Sequence, residues 1–134
     1  MKSLKSIICT LAIGVALVAT TTSAQAAGDA AAGKAFYEKT YSGNKYAQSA
    51  GVGAVGCVTC HGTNPKQNTK HVKTGKESGP MAVSSGWRDP KSGAARYTDA
   101  KKVAKWFKRN CNGVLGRECS AAEKANFIAY MSSM

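Results

Sequence analysis

The chain has 134 residues, with 19 Lys and Arg against 7 Asp and Glu, which gives a formal net charge of +12. A chain of this length accommodates one small domain with a thin core. It contains no internal repeat and no motif that reads nucleic acid, so we expect no nucleic-acid partner despite the positive charge.

The first 26 residues have the layout of a secretory signal peptide. Lys2 and Lys5 precede an apolar run at positions 7–19, and an Ala-Gln-Ala cleavage site follows. The apolar run is shorter than the roughly 20 residues that a transmembrane helix needs. We therefore predict cleavage after Ala26, export to the periplasm without stable membrane insertion, and a mature domain at 27–134.

A first helix is predicted from Asp29, which suits the N-cap position, over about ten residues. Gly33 and Phe36 fall on one side of this helix, and the glycine allows another helix to approach closely. Residues 40–56 are rich in Gly and Ser without a period, which predicts a loop.

The stretch Cys57-Val58-Thr59-Cys60-His61 is the attachment signature of haem c. Two thiols three positions apart each add to one of the two vinyl groups of haem, and the adjacent histidine becomes the proximal ligand of the iron. A Cys-x-x-Cys pair alone would also suit a redox dithiol, a zinc half-site or a disulfide. The histidine that follows, in an exported chain, favours one covalent haem c held by Cys57, Cys60 and His61.

Residues 63–79 are polar and lysine-rich, which predicts a solvated loop. Gly79-Pro80 then interrupts the chain. It resembles the Gly-Pro that class I cytochromes c place on the proximal side, where the proline carbonyl accepts the N–H of the proximal histidine. Pro80 is therefore predicted to orient His61 through this hydrogen bond.

A second helix is predicted to begin at Thr98-Asp99. Its apolar residues recur at helical spacing and are Val103, Trp106 and Phe107. Extending the pattern by three positions reaches Asn110, and the four residues fall within an arc of about 100°, with the basic residues opposite. Asn110 is therefore predicted on the buried face at the C-terminal end of the helix, before a turn at Asn112-Gly113.

The remaining cysteines predict a disulfide. Cys9 lies in the predicted signal peptide and haem takes two thiols, which leaves Cys111 and Cys119 to pair in an oxidising periplasm. The loop is short, so the crosslink contributes about 2.5 kcal/mol in the chain-entropy model. Its expected role is local, in holding residues 110–117.

A capping box at Ser120–Glu123 predicts the start of the last helix, which is expected to run to about Met131. We expect this helix to cross the first one. Gly33 and Phe36 would then lie against Phe127 and Met131.

The second axial ligand of the iron decides the function. Met81 has the thioether that an electron carrier would use, but it directly follows Gly-Pro and is interpreted as a core residue. His71 is the other histidine and lies in a lysine-flanked polar loop. Met131 and Met134 are interpreted as packing or end residues. Asn110 on its own would more often be a helix cap or a buried amide.

Several stretches together resemble the sphaeroides haem protein (SHP) family of small oxygen-binding class I cytochromes c. The most specific is the run Arg109-Asn110-Cys111-Asn112-Gly113-Val114-Leu115-Gly116-Arg117-Glu118-Cys119. Further matches are Thr74–Glu77 with Pro80, Tyr97–Asp99, Lys105-Trp106 and Glu123–Ala125. Met81 departs from the aliphatic residue expected in the family.

The resemblance implies an all-α class I cytochrome c fold in which the terminal helices cross and loops wrap one haem c. It implies Asn110 as the distal axial ligand and a disulfide between Cys111 and Cys119. In the family the asparagine leaves the iron on reduction, which agrees with its chemistry, since a neutral amide oxygen suits ferric iron better than ferrous iron.

We therefore predict a ferric form closed by Asn110 and a ferrous form that binds O2, NO or CO. The alternative is a six-coordinate electron-transfer cytochrome ligated by Met81 or His71. An electron passed from ferrous iron to bound O2 or NO would make the protein a terminal acceptor or give it a weak oxygen- or NO-converting activity. Gas binding is not turnover, and no further acid–base residue indicates proton delivery, so the sequence leaves open whether the protein is an enzyme. The resemblance implies a dihaem cytochrome c as electron donor, and the lysine-rich side of the second helix suits an acidic redox partner.

Overall fold

A computed structural model describes residues 27–71 and 74–134, so the predicted signal peptide at 1–26 lies outside the described residues. Within them, the fold is mostly helical, with five α-helices and two small antiparallel sheets. In chain order the elements are α1 (Ala30–Glu38), β1 (Tyr41–Ser42), α2 (Lys45–Ala50), β2 (Ala54–Val55), α3 (Cys57–His61), β3 (Thr69–Lys70), β4 (Glu77–Ser78), a 3-10 turn (Val83–Ser85), α4 (Ala100–Leu115) and α5 (Ala121–Ser133). None of the described helices combines the length and apolarity needed to cross a bilayer.

The prediction of an all-α fold holds for the helices but omits the strands. In the region predicted as a loop at 40–56, Tyr41 pairs with Val55 and Ser42 with Ala54, and α2 lies between these strands. In the loop predicted at 63–79, Thr69 pairs with Ser78. Strands of two residues are too short to show the alternation on which a strand prediction depends.

The predicted helix starts at both ends of the domain are confirmed. The Asp29 carboxylate accepts from the backbone N–H groups of Ala31 and Ala32 at 2.8 and 3.2 Å. Ser120 and Glu123 form the reciprocal capping box at the start of α5. These side chains satisfy amide groups that the first turn of a helix leaves without intrahelical partners.

The predicted crossing of α1 and α5 forms the centre of the fold. Gly33 lies directly against α5, because a Cβ atom there would collide with the Asn126 carbonyl and the Tyr130 side chain. The glycine thus meets Asn126 and Tyr130 instead of Phe127 and Met131. Phe36 meets the Phe127 ring edge-on, as predicted, at 6.5 Å between centroids.

The core is built around Phe127. With Tyr37, Tyr130 and Met131 it forms the buried cluster between α1 and α5. The rings of Phe107 on α4 and Tyr97 just before α4 lie edge-on to Phe127, with centroids at 5.5 and 6.2 Å. Aromatic pairs at this spacing contribute beyond their buried area, so one side chain joins three parts of the chain.

The helix α4 runs farther than predicted. It starts after Asp99, whose carboxylate accepts from the Lys102 backbone N–H at 3.0 Å, and continues through Asn112-Gly113 to Leu115. The predicted turn is therefore wrong. Gly113 is there for packing, since a Cβ atom would collide with the Tyr46 ring of α2. The helix ends at Gly116, whose φ of 71° is left-handed.

Candidate haem site

The Cys-x-x-Cys-His stretch forms the single helical turn α3. Gly56 precedes it and is buried against the chain that follows α1, where a Cβ atom would collide with the Lys39 carbonyl. The Gly56 backbone N–H donates to the Thr59 hydroxyl at 3.0 Å. In a helical turn, residues three apart lie on the same face, so Cys57 and Cys60 present their side chains to one side.

The thiol of Cys57 is neutral at physiological pH. Burial raises its pKa to about 11, a hydrogen bond from its own backbone lowers it, and Cys60 adds a smaller rise. Both cysteines are half-buried, and Cys57 also packs against the edge of the core cluster.

The imidazole of His61 is held neutral by its surroundings. Burial lowers its pKa, and electrostatic interactions with Arg96 and then with His71 lower it further. Neutral imidazole is the form that binds a metal. Its Nδ1 atom is buried and has no hydrogen-bond partner among the described residues.

The predicted hydrogen bond between His61 and Pro80 is not present in this structure. The Pro80 carbonyl instead accepts from Nε of Arg96 at 2.7 Å, and the Gly79 carbonyl accepts from Nη2 of the same side chain at 2.9 Å. The guanidinium is a charged, planar donor and binds adjacent carbonyls more strongly than an imidazole N–H does.

The alternative ligands lie in different surroundings. Met81 is half-buried and packs against the core cluster, and its carbonyl accepts from the Tyr97 hydroxyl at 3.0 Å. Met131 is fully buried in the cluster, and Met134 packs against it. His71 is exposed, and its Nδ1 accepts from the Thr74 backbone N–H at 3.2 Å.

Asn110 is exposed on α4, so its predicted place on the buried face is wrong. Trp106, one turn earlier, is 48% exposed. The contacts of α4 bury its last turns, at Cys111, Gly113 and Val114. The side chains of Trp106 and Asn110 remain exposed. Cys111 is bonded to Cys119 in the predicted disulfide, with 5.5 Å between the Cα atoms. An exposed amide therefore directly precedes a fixed, buried half-cystine.

These residues fit haem c. Two thiols three positions apart match the two vinyl groups, and a half-buried neutral imidazole directly follows them. The buried Nδ1 atom of that imidazole has no partner in the described part of the chain, and an unsatisfied buried polar atom of this kind indicates a site that a bound group completes.

Basic side chains line a groove of about 710 Å³ where α2 meets α4. We call it the basic groove; its lining includes Lys45, Lys105, Lys108 and Arg109. None of these four takes part in an ion pair within 27–71 and 74–134, where the ion pairs involve other cations. The groove is therefore a concentrated positive surface.

Two contributors were missed by the sequence analysis. Tyr37 was not recognised as a residue that supports the haem-attachment turn, although its hydroxyl donates to the Gly62 carbonyl at 2.6 Å. Arg96 was missed because it lies in an irregular loop, where no period distinguishes a structural arginine from a solvated one. The one sequence feature that could have indicated Arg96 is its position directly before Tyr97–Asp99, a stretch that resembles the SHP family.

Comparisons with known proteins find cytochromes c among the relatives of this chain. A family model described as "Domain of unknown function (DUF1924)" matches residues 23–131. Cytochrome c-type protein SHP from Cereibacter sphaeroides is 36% identical over 110 residues, which is 82% of this chain and 74% of that protein. Cytochrome c'' from Methylophilus methylotrophus is 44% identical over 75 residues, 56% of this chain, and the match spans about half (47%) of that protein.

Two solved structures are similar to the fold. The structure of oxidised SHP, an oxygen-binding cytochrome c, has a TM-score of 0.64 at 36% identity and covers 80% of this chain and 83% of that chain. The crystal structure of oxidised cytochrome c'' from M. methylotrophus has a TM-score of 0.61 at 35% identity, with 78% and 75% covered.

The chain is mostly helical, contains the Cys-x-x-Cys-His turn, and matches both structures over about four fifths of its length. It is therefore a class I c-type cytochrome. Haem c is the cofactor of that class. Within it, the chain belongs to the sphaeroides haem protein family, as the run from Arg109 to Cys119 predicts.

Proposed function

We propose that residues 27–134 form an exported cytochrome c with one haem, whose distal site is closed by Asn110 in the ferric form and opens on reduction to a diatomic gas (O2, NO or CO). When bound, haem c supplies a redox-active iron with two axial positions. The observation that carries the proposal is the exposed Asn110 amide beside the buried Cys111–Cys119 disulfide. The oxygen binding stated for the SHP structure supports it.

Cys57 and Cys60 would hold the haem covalently, and His61 would be the proximal ligand. The helical turn presents both sulfur atoms on one face. Burial keeps the imidazole neutral, so no proton has to leave before it acts as a ligand.

Asn110 would act as a ligand that can leave without movement of the helix. The next residue, Cys111, is buried and crosslinked, which fixes the backbone. The Asn110 side chain is exposed and has rotational freedom. An amide is a weak, hard, neutral donor, so a change to the softer ferrous state favours its release.

The protein would receive its electron from an acidic redox partner such as a dihaem cytochrome c. Residues 27–134 carry 17 Lys and Arg against 7 Asp and Glu. The basic groove adds a local concentration of unpaired cations. Opposite charge accelerates encounter between redox proteins and orients it.

Ligation by Met81 or His71 agrees less well with the structure. Met81 would have to leave the contacts that it makes with the core cluster. His71 would have to leave its own hairpin, where the Gly75 N–H donates to the His71 carbonyl at 2.8 Å. Asn110, by contrast, is exposed on α4.

The test is the spectrum of the purified holoprotein. Asn110→Ala is expected to change the ferric spectrum from low spin toward high spin, and ferrous wild-type protein is expected to shift promptly on addition of CO. Asn112→Ala is the matched control, because Asn112 lies two residues away and its amide donates to the Lys108 carbonyl at 2.8 Å. A low-spin ferrous spectrum unmoved by CO, or a ferric spectrum unchanged in Asn110→Ala, would contradict the proposal.

A further inference from the structure

Two exposed side chains, Trp106 and Asn110, lie on the side of α4 that packs inward. At about 100° per residue, the two are about 40° apart around the helix. They fall between Gly113, which α2 covers, and Phe107, which lies against the aromatic core. Trp106 is nevertheless 48% exposed, and Asn110 is exposed as well. We call these two residues the α4 strip.

The α4 strip differs in position and in chemistry from the outer surface of the helix. Lys101, Lys105 and Lys108 lie on the opposite side of α4, and all three are exposed. The strip combines one large aromatic ring with one neutral amide. Cofactor sites are typically lined by aromatic and apolar side chains with a small number of polar groups, and they lie between packed elements. The strip therefore has the character of a cofactor surface.

The haem-attachment turn reaches the same part of the core. Cys57 packs against the buried cluster built around Phe127, and Phe107 of α4 packs against the same cluster. The helix α2, which covers Gly113, continues along the chain through β2 into α3. The two elements that flank the strip thus also lead to Cys57, and a haem attached at Cys57 is placed to extend along the core toward the strip.

The indole of Trp106 is held from the side of the basic groove. The Arg109 guanidinium lies over the ring at 5.4 Å from its centroid, a distance at which a cation and an aromatic face attract each other. Arg109 also lines the basic groove. One face of the indole is therefore turned to the groove, and the opposite face is available to a ligand on the other side.

We propose that Trp106 is a contact residue of the distal haem site, where its indole covers the gas position beside Asn110. The inference rests on the proposed ligation of the iron by Asn110. Residues four apart on a helix are neighbours on its surface, so the indole stays beside the iron when the Asn110 amide leaves it. The ring keeps the opened position apolar, narrows the path from solvent and slows the entry of a gas.

The first test measures where the indole lies relative to the haem. The chain has two tryptophans, Trp87 and Trp106, so loss of one set of indole signals in Trp106→Phe assigns the Trp106 resonances in the proton NMR spectrum. The sample is the low-spin ferrous holoprotein, with CO bound where the protein takes CO. We expect the porphyrin ring current to displace the Trp106 resonances from the positions of a solvated indole. Resonances at the solvated positions overturn the proposal.

The second test measures the entry of a gas. Trp106→Ala is expected to raise the rate constant of CO association with the ferrous holoprotein several-fold, as measured by flash photolysis, whereas Trp106→Phe keeps an aromatic ring and should stay close to wild type. Trp87→Phe is the matched control, because it alters the other indole, which lies 3.7 Å from the Arg96 guanidinium and against Gly79. Its rate should equal that of wild type. A Trp106→Ala rate equal to or below the wild-type rate overturns the proposal.

Failure of the proposed function gives a different result. A ferrous wild-type protein that does not take CO, or a ferric spectrum unchanged in Asn110→Ala, overturns the proposed function and this inference with it. If both behave as proposed while the Trp106 resonances are those of a solvated indole or the Trp106→Ala rate is unchanged, this inference alone is overturned. If Trp106→Ala does not incorporate haem, Trp106→Leu takes its place. It keeps an apolar side chain of smaller size, so a smaller increase in rate is expected, and no increase overturns the proposal.

Discussion

The hydroxyl of Tyr37 on α1 donates a 2.6 Å hydrogen bond to the carbonyl of Gly62, the residue directly after His61. Tyr37 is fully buried. Burial, with smaller contributions that begin with Cys57, raises the pKa of Tyr37 well above its ordinary value, so the hydroxyl stays protonated and remains a donor. The core between α1 and α5 is thereby joined to the end of the haem-attachment turn.

Removing this hydroxyl should destabilise the holoprotein. Tyr37→Phe is expected to lower the free energy of unfolding by about 1–2 kcal/mol, because the Gly62 carbonyl loses its donor in a partly buried position. The measurement is urea denaturation followed by circular dichroism. Tyr130→Phe is the control, since Tyr130 lies in the same core and its hydroxyl makes no hydrogen bond within the part of the chain that the structure describes. An equal loss in both variants would show that the Tyr37 hydrogen bond has no special role.

The features predicted correctly from sequence are those encoded by neighbouring residues. Asp29 and the Ser120–Glu123 box mark helix starts because their side chains cap amides two or three positions away. The prediction of haem c as cofactor, which the relatives support, came from five consecutive residues, Cys57 to His61. The crossing of α1 and α5 followed from one glycine and two aromatic residues, since a position without a side chain on an apolar face indicates close helix approach.

The features that were missed depend on contacts between distant residues. Asn112-Gly113 resembles a turn, yet the helix continues because Gly113 must accommodate Tyr46 from α2. Asn110 follows the helical period of the buried residues, but burial depends on which elements pack against α4. The Arg96–Pro80 hydrogen bond joins residues sixteen positions apart through irregular backbone, where no periodic pattern exists.

The disulfide should stabilise the end of α4. Replacing both Cys111 and Cys119 by Ala is expected to lower the free energy of unfolding by about 2.5 kcal/mol, because the eight-residue separation closes a short loop. Urea denaturation with and without a thiol reductant measures this. The reductant should destabilise the wild-type protein by a similar amount and leave the double variant unaffected. A double variant as stable as the oxidised wild-type protein would contradict the expectation.

The carboxylate of Glu123 should make stability depend on pH. It accepts two hydrogen bonds from Arg117 at 2.7 and 2.8 Å and one from the Ser120 backbone N–H at 2.7 Å. The hydrogen bonds from Arg117 are the main cause that lowers its pKa from 4.5 to about 2, with burial opposing and Ser120 assisting. Because the pKa is lower in the folded state, the stabilisation is complete above about pH 4.5 and is lost as the pH falls toward 2.

Glu123→Gln is therefore expected to lower the free energy of unfolding by about 1 kcal/mol at pH 7, because it removes a helix cap and a surface ion pair. The loss should be smaller at pH 3. The measurement is the difference in unfolding free energy between variant and wild type at the two pH values. Glu38→Gln is the control, since Glu38 forms an exposed pair with Lys34 at 3.8 Å and should cost almost nothing at either pH. A Glu123→Gln penalty that is equal at pH 7 and pH 3 would show that its ionisation does not matter.

The basic groove should set the rate at which an acidic electron donor reaches the protein. Its four cations lie on α2 and α4, the helix that also bears Asn110. Lys105→Glu combined with Lys108→Glu is expected to slow electron transfer from a dihaem cytochrome c about tenfold at low ionic strength, because the encounter loses its electrostatic attraction. Stopped-flow absorbance at increasing salt measures it, and the variant and wild-type rates should converge near 1 M salt, where screening acts within about 3 Å.

The control for the groove reverses the same amount of charge elsewhere. Lys66→Glu with Lys76→Glu changes two exposed residues outside the groove, so the net charge of the protein falls equally. If position matters, this pair should slow the reaction much less than the groove pair at the same salt concentration, because screening by salt weakens the effect of charges with distance from the docking surface. Equal slowing by both pairs would mean that the donor responds to net charge, and the groove would then have no part in orienting it.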